Sequence, residues 1–470
     1  MTINNLLTMT ESILTPWSVK GKVDYMAQIQ KFGTSPIDEK LIERWEQVTK
    51  TKAHHCIRRG LVFSHQDLHK ILDCVEKHIP VYIYTGRGPS GESMHLGHLV
   101  PFRLTRYLQQ ALKCIVIIQM SDDEKFFFKD GVTANDLKKY NDYCYKNALD
   151  IIACGFDVNK TLFFSNLEQN NPDLYFNSTL LMKSCNMTSI KSIYGIGEIL
   201  PQSVINVINN EIEIEKNKEN PDNHKLSELQ STIKKFSMSG SNNIGQCVWP
   251  VFQSSPAFCT SFRKLFINSI THHIKHDNIT TEKFILMQKI LTELNDVNSE
   301  QSIMCLVPMA IDQSPYFRMA RDMAHILKCP KPAVIHSEFL PSLQSESKMS
   351  TTDNNNATIF LDIDVKKLPK MINKYAFSGG QDTLENHRKY GGNIKIDICY
   401  QYLTFFLEDD QKLNEIAQAY TSGIMTSGEI KKITSDIIVS EILKHQEIKK
   451  NITDDILHQF FDHRRILNIE

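Results

Sequence analysis

The stretch VYIYTGRGPSGESMHLGH, residues 81–98, limits the possible folds more than any other part of the chain. Residues 81–85 read as a buried strand, Gly86, Gly88 and Gly91 as a loop, and His95 and His98 as the start of a helix capped by Ser93. A strand that enters a helix through small residues lets a nucleotide approach the main chain. The first amides of the helix then face its negative charge. Residues 86–91 also match G-x-G-x-x-G, but Pro89 and a polar spacer part the glycines from the helix, and the acids Asp122 and Asp123 come too late for a dinucleotide site. No Gly-Lys-Ser/Thr closes a phosphate-binding Walker loop.

The alternation of strand and helix continues. After a helix reaching about residue 112, the apolar run 114–120 ends in Gln119, Asp122, Asp123 and Glu124. Leu137, Tyr140, Cys144 and Ile151 then share a helical face that stops near Gly155, and 161–165 reads as a third strand. Residues 303–307, a helix over 315–327 and residues 333–336 resume the pattern. Together they predict an α/β chain with a Rossmann-type parallel-sheet catalytic domain over 79–355. The lead-in, 1–78, is expected to pack on that domain, with Ser64 and Asp67 marking a helix start before Leu68. Polar surface insertions are expected at about 196–245 and 270–300. From 356 to 470 the spacing is helical: Tyr402, Phe405 and Phe406 form one cluster, and Ile430, Ile433, Ile437 and Ile438 another after Thr426-Ser427. This predicts a C-terminal α-helical domain.

Composition excludes several classes of protein. The 53 Lys plus Arg residues nearly cancel 54 Asp plus Glu, so any nucleic acid must be held by a local basic surface. The 11 cysteines are scattered and never form C-x-x-C, which argues for reduced thiols in the cytoplasm and against a zinc ribbon. No apolar run approaches the ~18 residues of a membrane span. His272, His273 and His276 lack accompanying carboxylate or cysteine ligands in the pattern and read as a solvated helix face, so no resident metal is expected.

Tyr84, Thr85, Gln119, Asp312, Gln313 and His336 all fall at or just beyond predicted strand ends, where α/β sheets bind ligands. A second phosphate-like loop, Lys348-Met349-Ser350-Thr351-Thr352, follows the last strand. A flexible lysine among hydroxyls suits a leaving pyrophosphate.

HLGH (95–98) and KMSTT (348–352) resemble the HIGH and KMSKS signatures of class I aminoacyl-tRNA synthetases. The chain is most similar to tryptophanyl-tRNA synthetases of the eukaryotic cytosolic type, through TPW, YTGRGPS, QM-DDEK, IIACGFD, AIDQ-PYFRM-RD, AFSGG-DT and YLTFFLEDD, in that order. Tyrosyl-tRNA synthetases share the fold and both signatures but not this set. A tyrosine-specific enzyme and a synthetase-derived binding protein without activity are the alternative readings.

The resemblance implies activation of L-tryptophan by ATP, with Mg²⁺ arriving on the nucleotide, and transfer of the acyl group to tryptophan tRNA. It implies that His95, His98, Lys348 and Ser350 act on the phosphates. Thr85, Gly86, Arg87, Lys125 and Met349 would complete the ATP site. It places Tyr84 and Gln119 at the indole N–H, and Glu124, Gln253 and Gln313 around the ammonium group. The donor and acceptor types suit these partners, because an indole only donates and an ammonium wants oxygens. The helical domain would bind the anticodon, with Asp382 as the matching residue beside Gln381, which replaces a frequent basic residue. A cytoplasmic homodimer is the family's usual form.

Overall fold

The computed structural model describes residues 13–15, 18–20, 25–194, 202–218, 222, 225–226, 229, 243–345, 347–349 and 357–469. Apart from a short hairpin of β1 (Ile13–Thr15) and β2 (Ser18–Lys20), the strands form one seven-stranded sheet. Its members are β3 (Ser35–Pro36), β4 (Val62–Gln66), β5 (Val81–Arg87), β6 (Ile115–Met120), β7 (Thr161–Ser165), β8 (Met304–Ala310) and β9 (Ala333–Ser337). The order is β3-β4-β9-β8-β5-β6-β7, with β9 to β7 all parallel and the two lead-in strands antiparallel at one edge. Chain order therefore reverses between β5 and β8, and the crevice outside their carboxyl ends is where such a sheet binds ligands.

Period-two alternation assigns the strand residues to two cores. Ile83, Val116, Ile118, Phe163, Leu306 and Ile335 face one side, and Tyr82, Tyr84, Ile117, Leu162, Val307 and Val334 the other. The first face is covered by α1 (Leu96–Leu112) and α2 (Ala134–Ile152). The second is covered by α3 (Ile244–Ser254), α4 (Arg263–His276), α5 (Thr281–Asn295) and α6 (Ser314–Met323).

Beyond residue 356 the described elements are all helical: α7 (Leu368–Tyr375), α8 (Leu384–Tyr390), α9 (Ile398–Phe406), α10 (Asp410–Thr421), α11 (Ser427–Lys450) and α12 (Asp454–Phe461), after one short 3-10 turn. Thr426 caps α11 as its spacing predicts, accepting from Glu429 N at 3.3 Å while its own N–H donates to Glu429 at 2.7 Å. Tyr402, Phe406, Ile430 and Ile438 join the same buried cluster as Leu99 and Ile335. The helical part and the sheet thus share a continuous core, and the boundary near 356 is not a break in packing.

Three sequence expectations are corrected. The lead-in does more than pack on the sheet, since β3 and β4 are strands of it. A helix does begin at Leu68, with Asp67 at its N-cap position, but Ser64 lies within β4 and Asp67, at φ 59°, makes no capping hydrogen bond. The 270–300 segment is helical but is no surface addition: Ile270, Met287, Ile290 and Leu294 are buried against the sheet. The 196–245 insertion lies largely outside the described residues. Its helix Gln202–Lys216 carries Ile208 and Ile212 in a small cluster with Leu229.

Candidate active site

A cleft of about 260 Å³ opens at the switch point, lined by the ends of β5 and β8, the start of α1 and the segment before residue 350. β5 delivers Thr85, Gly86 and Arg87 to its floor, and Gln313 and Asp312 come from the turn after β8. The helix start differs from the sequence reading. His95, not Ser93, is the N-cap of α1, and its N–H donates to His98 Nδ1 at 3.2 Å. The two imidazoles stack with centroids 3.6 Å apart. Burial, assisted by Arg87 and Lys348, pushes His95 down to about 3 and His98 well below its ordinary value. Both rings are neutral at pH 7, so they offer hydrogen bonds to the cleft and its positive charge comes from elsewhere.

That charge comes from Arg87, Lys125 and Lys348. Arg87 is half-buried, lowered by desolvation to about 10 and therefore still cationic, and its Nε donates to Asn147 at 3.2 Å. Asn147 in turn donates to the carbonyls of Gly91 and Glu92, fixing the glycine loop. Lys125 pairs with Glu124 at 2.6 Å. Lys348 Nζ lies 2.9 Å from Asp312 Oδ2 and 4.6 Å from the centre of the Phe339 ring. Met349 is buried, its N–H donating to Leu340 O at 3.2 Å, while Ser350 lies outside the described residues.

Two glycines are required by close approach. A methyl group on Gly88 would fall 1.7 Å from Glu124 Oε2, and one on Gly97 3.1 Å from His95 Nδ1 and 3.6 Å from Met349 Cβ. The glycine of HLGH thus leaves room for the His95 ring, while a methyl there would meet Met349 at ordinary contact distance.

The proposed tryptophan contacts divide into two groups. Glu124, Gln253 and Gln313 line the cleft. Tyr84 and Gln119 are fully buried behind it: Tyr84 donates to Gln119 Oε1 and to Gln253 O, and Gln119 Nε2 donates to Asn166 Oδ1 at 2.8 Å and Phe252 O at 3.2 Å. Among the described residues Gln253 Oε1 and Asp312 Oδ1 have no partner, so two buried acceptors are held at the cleft. His336 does not reach it; its ring bridges Ser64 and Ser314 at 3.0 and 2.9 Å. Asp382 lies far off in the helical part, exposed, accepting from Thr383 N at 2.9 Å and Asn386 Nδ2 at 3.0 Å.

Sequence reasoning missed Trp249. It lines the cleft one helical turn before Gln253, and its indole donates to Asp123 at 3.3 Å. The i, i+4 spacing of Trp249 and Gln253 was the available signal. Ser121 was also missed; its hydroxyl donates to Glu124 at 3.3 Å.

The family model described as tRNA synthetases class I (W and Y) matches residues 76–215 and 264–443. The cytoplasmic tryptophan–tRNA ligase of Mus musculus is 39% identical over 444 residues, covering 93% of this chain and 76% of that one. Its Homo sapiens counterpart is 38% identical over 443 residues, covering 93% and 78%. The tryptophanyl-tRNA synthetase structure from Giardia lamblia superposes with a TM-score of 0.73 at 33% identity, covering 93% of this chain and 96% of that one.

Proposed function

Because the chain belongs to the class I tRNA synthetases that serve tryptophan and tyrosine, we propose a division of labour among its cleft residues suited to a tryptophan–tRNA ligase. The enzyme activates tryptophan with ATP to the aminoacyl-adenylate and pyrophosphate, then passes the acyl group to tryptophan tRNA. The observation that carries the assignment is the meeting of Arg87, His95, His98 and Lys348 in one cleft at the switch point of the sheet.

No protein nucleophile is needed. The tryptophan carboxylate attacks the α-phosphorus in line, so catalysis is positioning and charge stabilisation. Thr85 and Gly86 hold the nucleotide against the strand end, with Met349 closing the far wall. Arg87 and Lys125 supply fixed charge, the neutral imidazoles of His95 and His98 hydrogen-bond the phosphates, and Lys348 follows the departing pyrophosphate with Ser350 beside it. Glu124, Gln253 and Gln313 take the substrate ammonium. Tyr84 and Gln119 form the polar end of the side-chain pocket, where an unpaired acceptor would reject a substrate lacking the indole N–H.

Mg²⁺ is brought by ATP and neutralises phosphate charge. The cleft carboxylates Glu124 and Asp312 are each already paired with a lysine, which suits an ion carried by the nucleotide better than a protein cage. We assign the anticodon to the helical part around Asp382, and a homodimer as the working form. The cytoplasm is the proposed compartment, as in the names of the relatives; among the described residues no helix is long and apolar enough to cross a membrane.

The test is exchange of labelled pyrophosphate into ATP with tryptophan, tyrosine or no amino acid. Exchange with tryptophan alone is expected. Exchange with tyrosine instead, or none in folded protein that binds ATP, would overturn the assignment.

A further inference from the structure

A second cavity, about 620 Å³ and larger than the catalytic cleft, lies where three parts of the chain meet. Its walls are residues 52–58 of the lead-in, the outward side of α1 with the turn at 153–155, and the helical part at 405–408 and 441–448. The volume falls in the range of small-molecule sites. Five cationic side chains line it, Lys52, Arg58, Arg103, Arg106 and Lys444, against two carboxylates, Glu408 and Glu441.

Most of that charge is partly spoken for. Arg58 pairs with Asp410 at 2.5 Å, Arg103 with Glu441, and Lys444 with Glu441 at 3.7 Å. Lys52 and Arg106 form no ion pair with a described residue, and of the two only Arg106 has a buried nitrogen, Nε, without an acceptor there. A guanidinium nitrogen out of water without a partner is an energetic debit that native structures rarely carry.

His445 offers a second such atom. Its imidazole is buried, Nε2 faces Asp150 at 3.1 Å, and Nδ1 has no partner among the described residues. In the tautomer whose Nε2 donates to the carboxylate, Nδ1 is an acceptor that suits a hydroxyl, as on a monoprotonated phosphate. His54, on the same wall, is pushed down to about 3 by burial first, with smaller contributions from His55, Arg58, Arg59 and Arg106. The same wall carries two aromatic rings, His54 and Tyr107, 5.1 Å apart between centres and tilted at 57° to each other.

We propose that this cavity binds a small phosphate-bearing anion, with Arg106 as its principal charge partner and His445 taking the phosphate hydroxyl. Concavity favours a compact ligand over an extended one, because the orphaned nitrogens sit below the surface. An occupant would touch the lead-in, α1 and α11 together, and so tie the helical part to the helix that begins with His95.

The experiment is calorimetric titration of inorganic phosphate into the full chain at low ionic strength. Saturable binding is expected in wild type and in Lys348→Ala alike. Arg106→Gln should weaken it at least tenfold, and Arg106→Lys should recover most of the loss. Absence of saturable binding in wild type overturns the proposal. So does loss in Lys348→Ala with retention in Arg106→Gln, which would place the anion in the catalytic cleft. Far-UV circular dichroism and tryptophan-dependent exchange within twofold of wild type show that Arg106→Gln is folded; if it is not, Lys444→Gln carries the comparison, with intermediate weakening expected and unchanged affinity refuting. Adding bulk tRNA to the phosphate-loaded protein separates the sources of the anion. Displacement assigns the site to a tRNA backbone phosphate, and its absence to a free phosphorylated metabolite.

Discussion

Replacing Lys348 with alanine should slow adenylate formation while leaving tryptophan binding nearly unchanged. In the free protein the ammonium is not idle: it lies 2.9 Å from Asp312 Oδ2, with the lysine side chain 40% exposed and the carboxylate 1%. At an effective permittivity near 20 the gross attraction of such a pair is on the order of 6 kcal/mol. Half-exposure and screening reduce its net worth to about 1 kcal/mol. Removing one preorganised donor from a developing charge typically costs ~2.7–4 kcal/mol. Subtracting the cost of leaving Asp312 gives a net of about 2–3 kcal/mol, which is roughly a 30- to 160-fold fall in kcat. The assay is pyrophosphate exchange with tryptophan varied at saturating ATP. The Michaelis constant for tryptophan should stay within about twofold, because the lysine meets charge that grows only in the transition state. A rise in that constant by the same factor, with kcat intact, would show that Lys348 acts in ground-state binding and would sink the reasoning. Asp312→Asn combined with Lys348→Ala is the control: it removes the stranded buried charge and should restore stability without restoring rate.

Gly88→Ala drives a methyl group into Glu124, whose carboxylate is already fixed by Lys125 and Ser121, so the side chain must leave its place. The expected result is at least a tenfold higher Michaelis constant for tryptophan with a melting temperature within a few degrees of wild type; unchanged kinetics would remove Glu124 from the ammonium site. Acid should weaken the fold through His95 and His336, both buried and both lowered to about 3, by burial first, from an unfolded value near 6.5. Below pH 6.5 the unfolded chain takes up protons that the folded chain refuses, so stability is full above that pH and falls as pH drops toward 3, by ~1.4 kcal/mol per unit for each group. Urea midpoints at pH 7.5, 6.0 and 5.0 read this directly, and a flat profile would show that neither ring is held neutral in the native state.

What could be read from the sequence was what local pattern encodes. The unbroken apolar runs in 81–85 and 114–120 revealed the strands because each buries both faces, and the order of elements revealed the parallel sheet. Thr426 and Glu429 revealed the start of α11 because a capping box is local. Ser93 misled because a serine is the commoner cap, whereas here His98 turns back to His95 N and the histidines define their own helix start. His336 misled because its position at a strand end is shared by ligand-binding residues. Only the distant partners Ser64 and Ser314 show that its nitrogens are taken. The 270–300 helices looked polar because one face is; the buried stripe of Met287, Ile290 and Leu294 is narrow and easily lost among charges. Trp249 belongs to the cleft through a fold contact that no spacing rule, beyond its turn from Gln253, could supply.

The same distinction explains how the helical part bears on the catalytic cleft. Asp150 on α2 is fully buried, accepts from Lys449 at 2.7 Å, and faces His445 Nε2 at 3.1 Å. Its second oxygen lies 3.5 Å from the N–H of Met94, the residue before His95. Met94 O in turn accepts from Leu361 N at 2.9 Å, and Leu96 N donates to Ile359 O at 2.8 Å, so the chain returning from the 348–352 loop is laid along the histidine signature. Gln446, one residue from His445, donates to Leu361 O at 2.7 Å and Ile363 O at 3.0 Å. One turn of α11 therefore grips the 361–363 segment directly and, through Asp150, the residue before His95. Buried charges of this kind add little net stability over apolar packing of the same volume, because their desolvation offsets their attraction. What they add is geometry: a carboxylate with three fixed partners tolerates no slip of α11 against the His95 loop, and an apolar contact in its place would.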